Sequence, residues 1–346
     1  MGDAMEATPE LTRRIVAALS RPDAYPDRPQ HVRVVETHMS WVFVTDERAY
    51  KLKKPLRYSY LDFSTPEARR INSEREIRLN RRFSMDVYHG LWAVLPTADG
   101  LCVGGPGPDA VDWLVAMRRL DDTRTLERGL LEGWAEAATL RPALWPLLAH
   151  YRAARSEPMG GFDYVNRLWR QLEADAAELV RAEFGLDAER VARIRRGCLG
   201  YLAAQAAVPA SRARRGWLVE GHGDLRPEHV YLVDQPRLVD CLEFNRAFRV
   251  LDPIDELASL SLHCARLGGD WVRPLLFDMY EEVTGDRPPA PLIAFYLAAR
   301  GLLWAKLAVW HLGHAGADRA RWRRRAESYL EIAEAQEPRM GGSAVG

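Results

Sequence analysis

No disulfide framework can be written for this sequence. Its four cysteines, Cys102, Cys198, Cys241 and Cys264, are scattered with no CxxC pair, which excludes a stapled secreted scaffold and a thiolate zinc site. An excess of one charge is also missing. The 48 basic and 48 acidic residues cancel, so no global field draws the chain to nucleic acid or to an anionic membrane surface. The run Arg321-Trp322-Arg323-Arg324-Arg325 accordingly reads as a solvated helical face. No long apolar stretch is free of charge. Leu292 to Leu312 contains Arg300 and Lys306, each costly in a bilayer, so it reads as a buried helix and no membrane partner is expected. The opening residues, Met-Gly-Asp-Ala-Met-Glu, lack the basic start and apolar stretch of a signal peptide, and a reducing cytoplasm is the expected setting. Solenoid repeats and a GxxxxGK[ST] phosphate loop are absent too. Nothing in the sequence fixes an oligomeric state.

What is present divides into two textures. Residues 1–31 hold a short amphipathic stretch, Leu11 to Leu19, and a link punctuated by Pro22, Pro26 and Pro29, and are expected at the periphery. Residues 32–117 read β, β, α, β, β. Val32 to Phe43 and Ala49 to Lys53 form a hairpin, Glu67 to Phe83 a helix, and Leu91 to Leu95 and Trp113 to Met117 two further strands. From 118 to 335 long helices dominate, expected over Thr125 to Leu140, Pro142 to Arg155, Phe162 to Phe184, Asp187 to Ala206 and again from Pro253. One β insert interrupts them, Val230 to Val233 and Arg237 to Leu242. Residues 336–346 read as a flexible tail. The fold class expected is α+β, a small β-rich part followed by a larger helical one. His263, His311 and His314 carry no paired ligand spacing.

The sharpest local signal is His222-Gly223-Asp224-Leu225-Arg226-Pro227-Glu228-His229, on the loop that feeds the β insert, and such loops are where catalytic groups concentrate. The run resembles the HGDLHPGN motif of the aminoglycoside phosphotransferase family, kin to the choline and protein kinases; five of its eight positions match as they stand. With THMSWVF, YKLKKP, LDFS and DCLEFN, the chain is similar to a bacterial branch of that family sometimes fused to a P-loop kinase domain, of which this sequence is read as the stand-alone form. The likeness covers about residues 32 to 335. It implies a protein-kinase-like two-lobed fold, with a nucleotide-binding lobe over 32–117 and a lobe for catalysis and acceptor binding over 118–335. The activity implied is transfer of the γ-phosphoryl of ATP or GTP, with Mg²⁺, to a hydroxyl of a small molecule.

Carried over residue by residue, the catalytic aspartate falls on Asp224, which would take or orient the acceptor proton, with His222 and Arg226 beside it in the catalytic loop. The family's metal-binding asparagine falls on His229. Imidazole suits hard Mg²⁺ less well than an amide oxygen, which leaves phosphate binding or orientation of Asp224 as its alternatives. The second metal ligand falls on Glu243, 19 residues after Asp224, with Asp240 at 16 as the alternative; regular strand alternation would send the two to opposite faces. Lys51 is preferred to Lys53 for the phosphates, both lying on the face opposite Tyr50 and Leu52, and Glu76 is preferred to Glu74 as the lysine's partner. Met117, in the connector Val115 to Leu120, would offer backbone groups to a purine. Thr37 to Trp41 stands where a glycine-rich loop would be. Asp252-Pro253-Ile254-Asp255-Glu256-Leu257-Ala258 resembles the DP-x-x-DLA segment, for which a structural role is expected. His229, Glu243 and the missing glycines keep open a pseudokinase-like nucleotide-binding module. A metal-dependent hydrolase built on His222, Asp224, His229 and Asp240 is a further alternative. Acceptor choice would rest on about 125 to 215 and 260 to 335, where no acidic cluster names a substrate.

Overall fold

Strict alternation in Tyr50-Lys51-Leu52-Lys53 sets the first part of the structure, because it drives two large apolar side chains into one face and leaves two ammoniums on the other. The computed structural model describes residues 9–58, 60–313, 316 and 318–341; His314 and the last residues of the expected tail lie outside them. The chain divides into two compact units. One runs to Arg124 and takes in Val233–Phe248; the other is Thr125–Leu232 with the chain from Arg249 onward. The boundary expected after Met117 therefore falls later, and part of the β insert, expected within the helical part, belongs with the β-rich one.

In the first unit, helix α1 (Pro9–Leu19) precedes strands β1 (Arg33–Glu36), β2 (Ser40–Val44) and β3 (Arg48–Lys53), then come α2 (Pro66–Asn80), β4 (Tyr88–Thr97), β5 (Gly100–Gly104) and β6 (Asp112–Arg118). The six strands form one antiparallel sheet in the order β1-β2-β3-β6-β4-β5. Two of these strands were not expected. β1 and β2 are separate strands joined by a tight turn, and β5 follows the two-residue turn Ala98-Asp99, closed by the pair Thr97 and Gly100. Thr65 caps α2, its hydroxyl accepting from the Ala68 amide. Arg69, on the first turns of that helix, is fully buried and paired bidentately with Asp112 at 2.9 and 2.7 Å. The peripheral placing of residues 1–31 fails over α1: Ile15, Leu19, Ala24 and Tyr25 are buried against Phe43, Tyr50, Leu52 and Leu114. The proline-punctuated link hid this, since Tyr25 turns inward and donates to the Leu19 carbonyl at 2.6 Å.

The second unit is helical: α3 (Leu126–Glu132), α4 (Ala137–Ala153), α5 (Gly161–Leu179), α6 (Ala188–Gln205), α7 (Ala207–Arg214), α8 (Pro253–Arg266), α9 (Val272–Thr284), α10 (Ala290–Trp310), α11 (Arg319–Glu334) and α12 (Glu337–Met340). The break expected at Pro142 falls instead at Gly133, whose left-handed backbone (φ 76°) ends α3. α12 extends helix into the expected tail, with Met340 buried. α10 is long and apolar enough to cross a membrane, yet its two charges are held inside the unit: Arg300 pairs bidentately with Asp255 at 2.6 Å and Lys306 with Asp175 at 2.5 Å. Buried charges partnered in this way belong to a protein core.

His263 on α8 is 1% exposed, its Nδ1 3.0 Å from the Tyr329 hydroxyl and its ring against Trp304. Burial, and then the charges of Arg226, Arg266 and Arg325 with His229, pull its pKa well below 6.5. The unfolded chain protonates this histidine more readily than the folded one, so the stability from keeping it neutral is present above about pH 6.5 and lost as the pH falls. The unfolding free energy of the wild type measured in urea will fall between about pH 7 and pH 5, and His263→Gln will flatten that slope by up to about 1.4 kcal/mol per pH unit. Leu19→Ala will cost about 2–5 kcal/mol in the same assay, as expected of a core leucine; a peripheral leucine would change stability by less than about 0.5 kcal/mol.

Candidate active site

In the β-rich unit, five charged side chains meet behind the sheet. Glu76, on the inner face of α2 and fully buried, accepts from Lys51 at 2.9 Å with Oε1 and from Lys53 at 2.5 Å with Oε2. Lys51 also reaches Asp240 at 2.6 Å, and Lys53 reaches Glu243. Burial pulls the Lys51 ammonium down, but Asp240, Glu76 and Glu243 outweigh it and hold it well above the ordinary lysine value. Burial likewise works against the Glu76 carboxylate, and Lys51 and Lys53 outweigh it, keeping Glu76 below the usual range. Glu243 goes the other way: burial lifts it and Glu76 repels it, against the pull of Lys53. The lysines differ in access. Lys53 is buried at 1% exposure over the Phe63 ring, whereas the Lys51 side chain is 15% exposed and its partner Asp240 41%.

Asp240 reaches Lys51 through a backbone that the sequence does not announce. The strand expected over Arg237–Leu242 is regular only at Arg237–Leu238, and Asp240 itself lies in the left-handed region at φ 63°, a conformation aspartate tolerates better than most residues. Alternation therefore stops before it can separate Asp240 from Glu243. Both carboxylates join the lysine pair, which corrects the expectation of opposite faces. Helix α2, its following turn and the start of β4 fasten this segment: Ser84 bonds both the amide and the carbonyl of Leu238, the Tyr88 hydroxyl accepts from the Asp240 amide at 3.1 Å, and Asn80 accepts from the Cys241 amide at 2.9 Å. Arg237 adds a bidentate pair with Asp86. Sequence reasoning missed Asn80, Ser84, Asp86 and Tyr88, because their partners lie more than 150 residues away. Glu74, the alternative to Glu76, is exposed and paired with Arg70. Met117 lies within the ladder, between Ala49 of β3 and Tyr88 of β4, so its backbone edges are already flanked and the purine-binding expectation there does not fit. Thr37–Ser40 forms a tight turn closed by the Thr37 hydroxyl.

In the helical unit, the loop 221–229 is pinned from below. Glu256, on the first turn of α8 and 2% exposed, accepts from the amides of His222 at 3.0 Å and Gly223, and from the Tyr151 hydroxyl at 2.5 Å. Two glycines make this approach feasible. A Cβ on Gly221 would stand 2.5 Å from Glu256 Oε2, and Gly223 has φ 85°. His222 is fully buried, and its Nδ1 accepts weakly from the Asp224 amide at 3.4 Å. Asp224 is partly exposed. Its Oδ2 receives Arg226 at 3.0 Å, while Oδ1 makes no hydrogen bond among the described residues. The His229 ring is engaged at both nitrogens: Nδ1 lies 2.9 Å from the Asp224 carbonyl and donates to it, which leaves Nε2 to accept from Arg226 at 3.1 Å. Arg226 also holds Glu228 at 2.6 Å. Burial works against the Glu228 carboxylate, but Arg226, His229 and Arg325 together keep it below its usual range. Among the described residues no three His, Cys, Asp or Glu gather as a metal-binding group. In the 252–258 segment Asp252 caps α8 and pairs with Arg212. Glu256 is the member that touches the 222–229 loop, by accepting from its amides.

No protein-family model matches the chain. Over 291 residues it is 31% identical to uncharacterised proteins of Mycobacterium tuberculosis and Mycobacterium bovis, an overlap of 82% of this chain and 56% of theirs. The chain thus spans about half the length of the curated relatives it matches. Among solved structures, a choline/ethanolamine kinase family protein from Mesorhizobium loti matches with TM-score 0.53 and 16% identity, covering 93% of this chain and 94% of that one. A choline kinase from Cryptosporidium parvum Iowa II matches with TM-score 0.50 and 10% identity, over 94% and 96% of the two chains. At these identities the likeness is one of fold, and the chain has the kinase-like two-lobed α+β fold that the 222–229 run implied.

Removing the Glu256 carboxylate would leave two loop amides and a buried hydroxyl without their acceptor. Glu256→Ala is expected to cost about 3 kcal/mol or more and Tyr151→Phe only about 1 kcal/mol, both read by chemical denaturation. Equal, small losses would mean that the loop does not depend on this staple.

Proposed function

We propose that the chain is a phosphotransferase that moves the γ-phosphoryl of ATP or GTP to a hydroxyl of a small molecule, in the cytoplasm. The observation that carries the reading is the single glutamate, Glu76, shared by Lys51 and Lys53 with Asp240 and Glu243 at their other side. A lysine on a sheet strand held by a helix glutamate, next to acidic groups that follow the catalytic loop in sequence, is the arrangement phosphoryl transfer asks for. The more open Lys51 would bind phosphate oxygens, and Lys53, sealed between Glu76 and Glu243, would keep the acidic groups in place. Asp240 and Glu243 offer hard carboxylate oxygens, which suit Mg²⁺. When bound, the ion would neutralise charge on the transferring group.

On the helical unit, Asp224 would take or orient the acceptor proton through Oδ1, the oxygen that Arg226 leaves open. Arg226 would steady Asp224 and add positive charge beside the transferring oxygens. His222 and His229 act as positioning residues in this reading, the first by burial under the loop and the second by its two ring bonds. His229 would then not stand in for the metal-binding asparagine of the family that the run resembles. That absence favours a second reading, a nucleotide-binding module without turnover.

A transfer screen with γ-labelled ATP and GTP over sugars, amino alcohols and aminoglycosides decides between them. Label should pass to at least one acceptor class, and Asp224→Ala should reduce transfer by about 10²–10⁴-fold. Nucleotide binding with no transfer, unchanged by Asp224→Asn, would favour the module; failure to bind either nucleotide would sink both readings.

A further inference from the structure

A surface cavity of about 560 Å³ opens in the helical unit where the end of α8, the first turn of α9, the end of α11 and α12 come together. Its size suits a small molecule. Two guanidiniums line it, Arg273 and Arg339, and neither side chain makes an ion pair or hydrogen bond among the described residues. Burial, and then the charge of Arg339, pull the Arg273 guanidinium below its ordinary range against the opposing carboxylate of Asp270. The two cations thus repel one another, and Asp270 only partly offsets that repulsion. α9 starts at the same place with no side-chain cap on its first amides, and such a helix end favours negative charge.

The third wall is more specific. Gln336 is 3% exposed and lines the cavity. Its Nε2 donates to the Ile332 carbonyl at 2.9 Å, while its Oε1 is buried with no partner. Turning the amide over would set oxygen against the Ile332 carbonyl, so the orientation is fixed and a bare acceptor remains. An orphaned buried acceptor is destabilising, and a ligand hydroxyl would satisfy it. Asp270 and Glu331 stand at the same cavity and would accept further hydroxyls while repelling large polyanions.

We propose that this cavity binds a compact anion, phosphate or carboxylate, carried on a small hydroxylated frame, with Arg273 and Arg339 on the anion and Gln336 Oε1 on a hydroxyl. The site is separate from the catalytic loop. Ala265, which lines the cavity, lies nine residues beyond Glu256 on α8, roughly 14 Å along the helix axis. One helix thus carries the loop staple near its start and the cavity wall at its end, a placement that suits a regulator. The proposal does not depend on the phosphotransferase reading.

Calorimetric titration of the full chain with glycerol 3-phosphate, glycerate, inorganic phosphate and glycerol tests it. Glycerol 3-phosphate or glycerate should bind saturably, and the stronger of the two identifies the anion. Inorganic phosphate should bind more weakly and glycerol not at all. Arg273→Ala and Arg339→Ala should each weaken binding about tenfold, Gln336→Leu should abolish the preference for the hydroxylated ligand over inorganic phosphate, and Asp224→Asn should leave binding unchanged. Melting curves without ligand identify any variant that fails to fold, and the two arginine variants serve as independent replacements for one another. Absence of saturable binding of every probe, binding that both arginine variants retain at full strength, or binding lost in Asp224→Asn would overturn the proposal.

Discussion

Two ammonium groups cannot be put behind a sheet unless carboxylates meet them there. An isolated buried ion costs several kcal/mol even after relaxation, and Lys53 is almost wholly buried while Lys51 is mostly so. Glu76 answers both at once, one oxygen to each. Asp240 and Glu243 then give each lysine a second carboxylate, three acidic groups meeting two ammoniums. Much else in the β-rich unit serves this arrangement. Alternation in β3 aims the lysines, the capped start of α2 and the buried Arg69–Asp112 pair fix the helix that carries Glu76, and Asn80, Ser84 and Tyr88 hold the segment that brings Asp240 back.

The helical unit solves a related problem with a different device. A loop that exposes an aspartate must keep its own backbone amides satisfied, and here a single buried glutamate on α8 does so for His222 and Gly223. Burial raises the Glu256 pKa, and the Tyr151 hydroxyl and the loop amides oppose that rise. The glycines on either side of His222 are a consequence of that close approach, one for space and one for its backbone angle. Arg226 and His229 then close the loop on itself, leaving one oxygen of Asp224 open. Asp224 keeps a partly exposed carboxylate there, while both ring nitrogens of His229 are engaged.

Periodicity made much of this legible. The pairing of Lys51 and Lys53 on one face, the helix that presents Glu76, and the loop around Asp224 all follow from local pattern and a motif eight residues long. Features decided by distant partners were not legible. Nothing in Asn80, Ser84 or Tyr88 announces a partner far along the chain, and the left-handed Asp240 defeats an argument from strand alternation. Residues 1–31 looked peripheral because three prolines break the local pattern, although Ile15, Leu19 and Tyr25 enter the core. Glu256 sat inside a recognised segment, but only its contact with the loop amides separates it from Asp252, which caps the helix, and Asp255, which pairs with Arg300.

Under the proposed function two lysines two residues apart divide the work, Lys51 meeting the nucleotide and Lys53 holding the structure. Titration of Mg²⁺-ATP and Mg²⁺-GTP into the wild type, Lys51→Met and Lys53→Met, each alongside a denaturation curve, separates the two roles most directly. Lys51→Met should weaken nucleotide binding about tenfold or more at modest cost in stability, whereas Lys53→Met should lose about 3–5 kcal/mol by leaving Glu243 and Glu76 short of a cation. Wild-type nucleotide affinity in Lys51→Met would contradict this division of work.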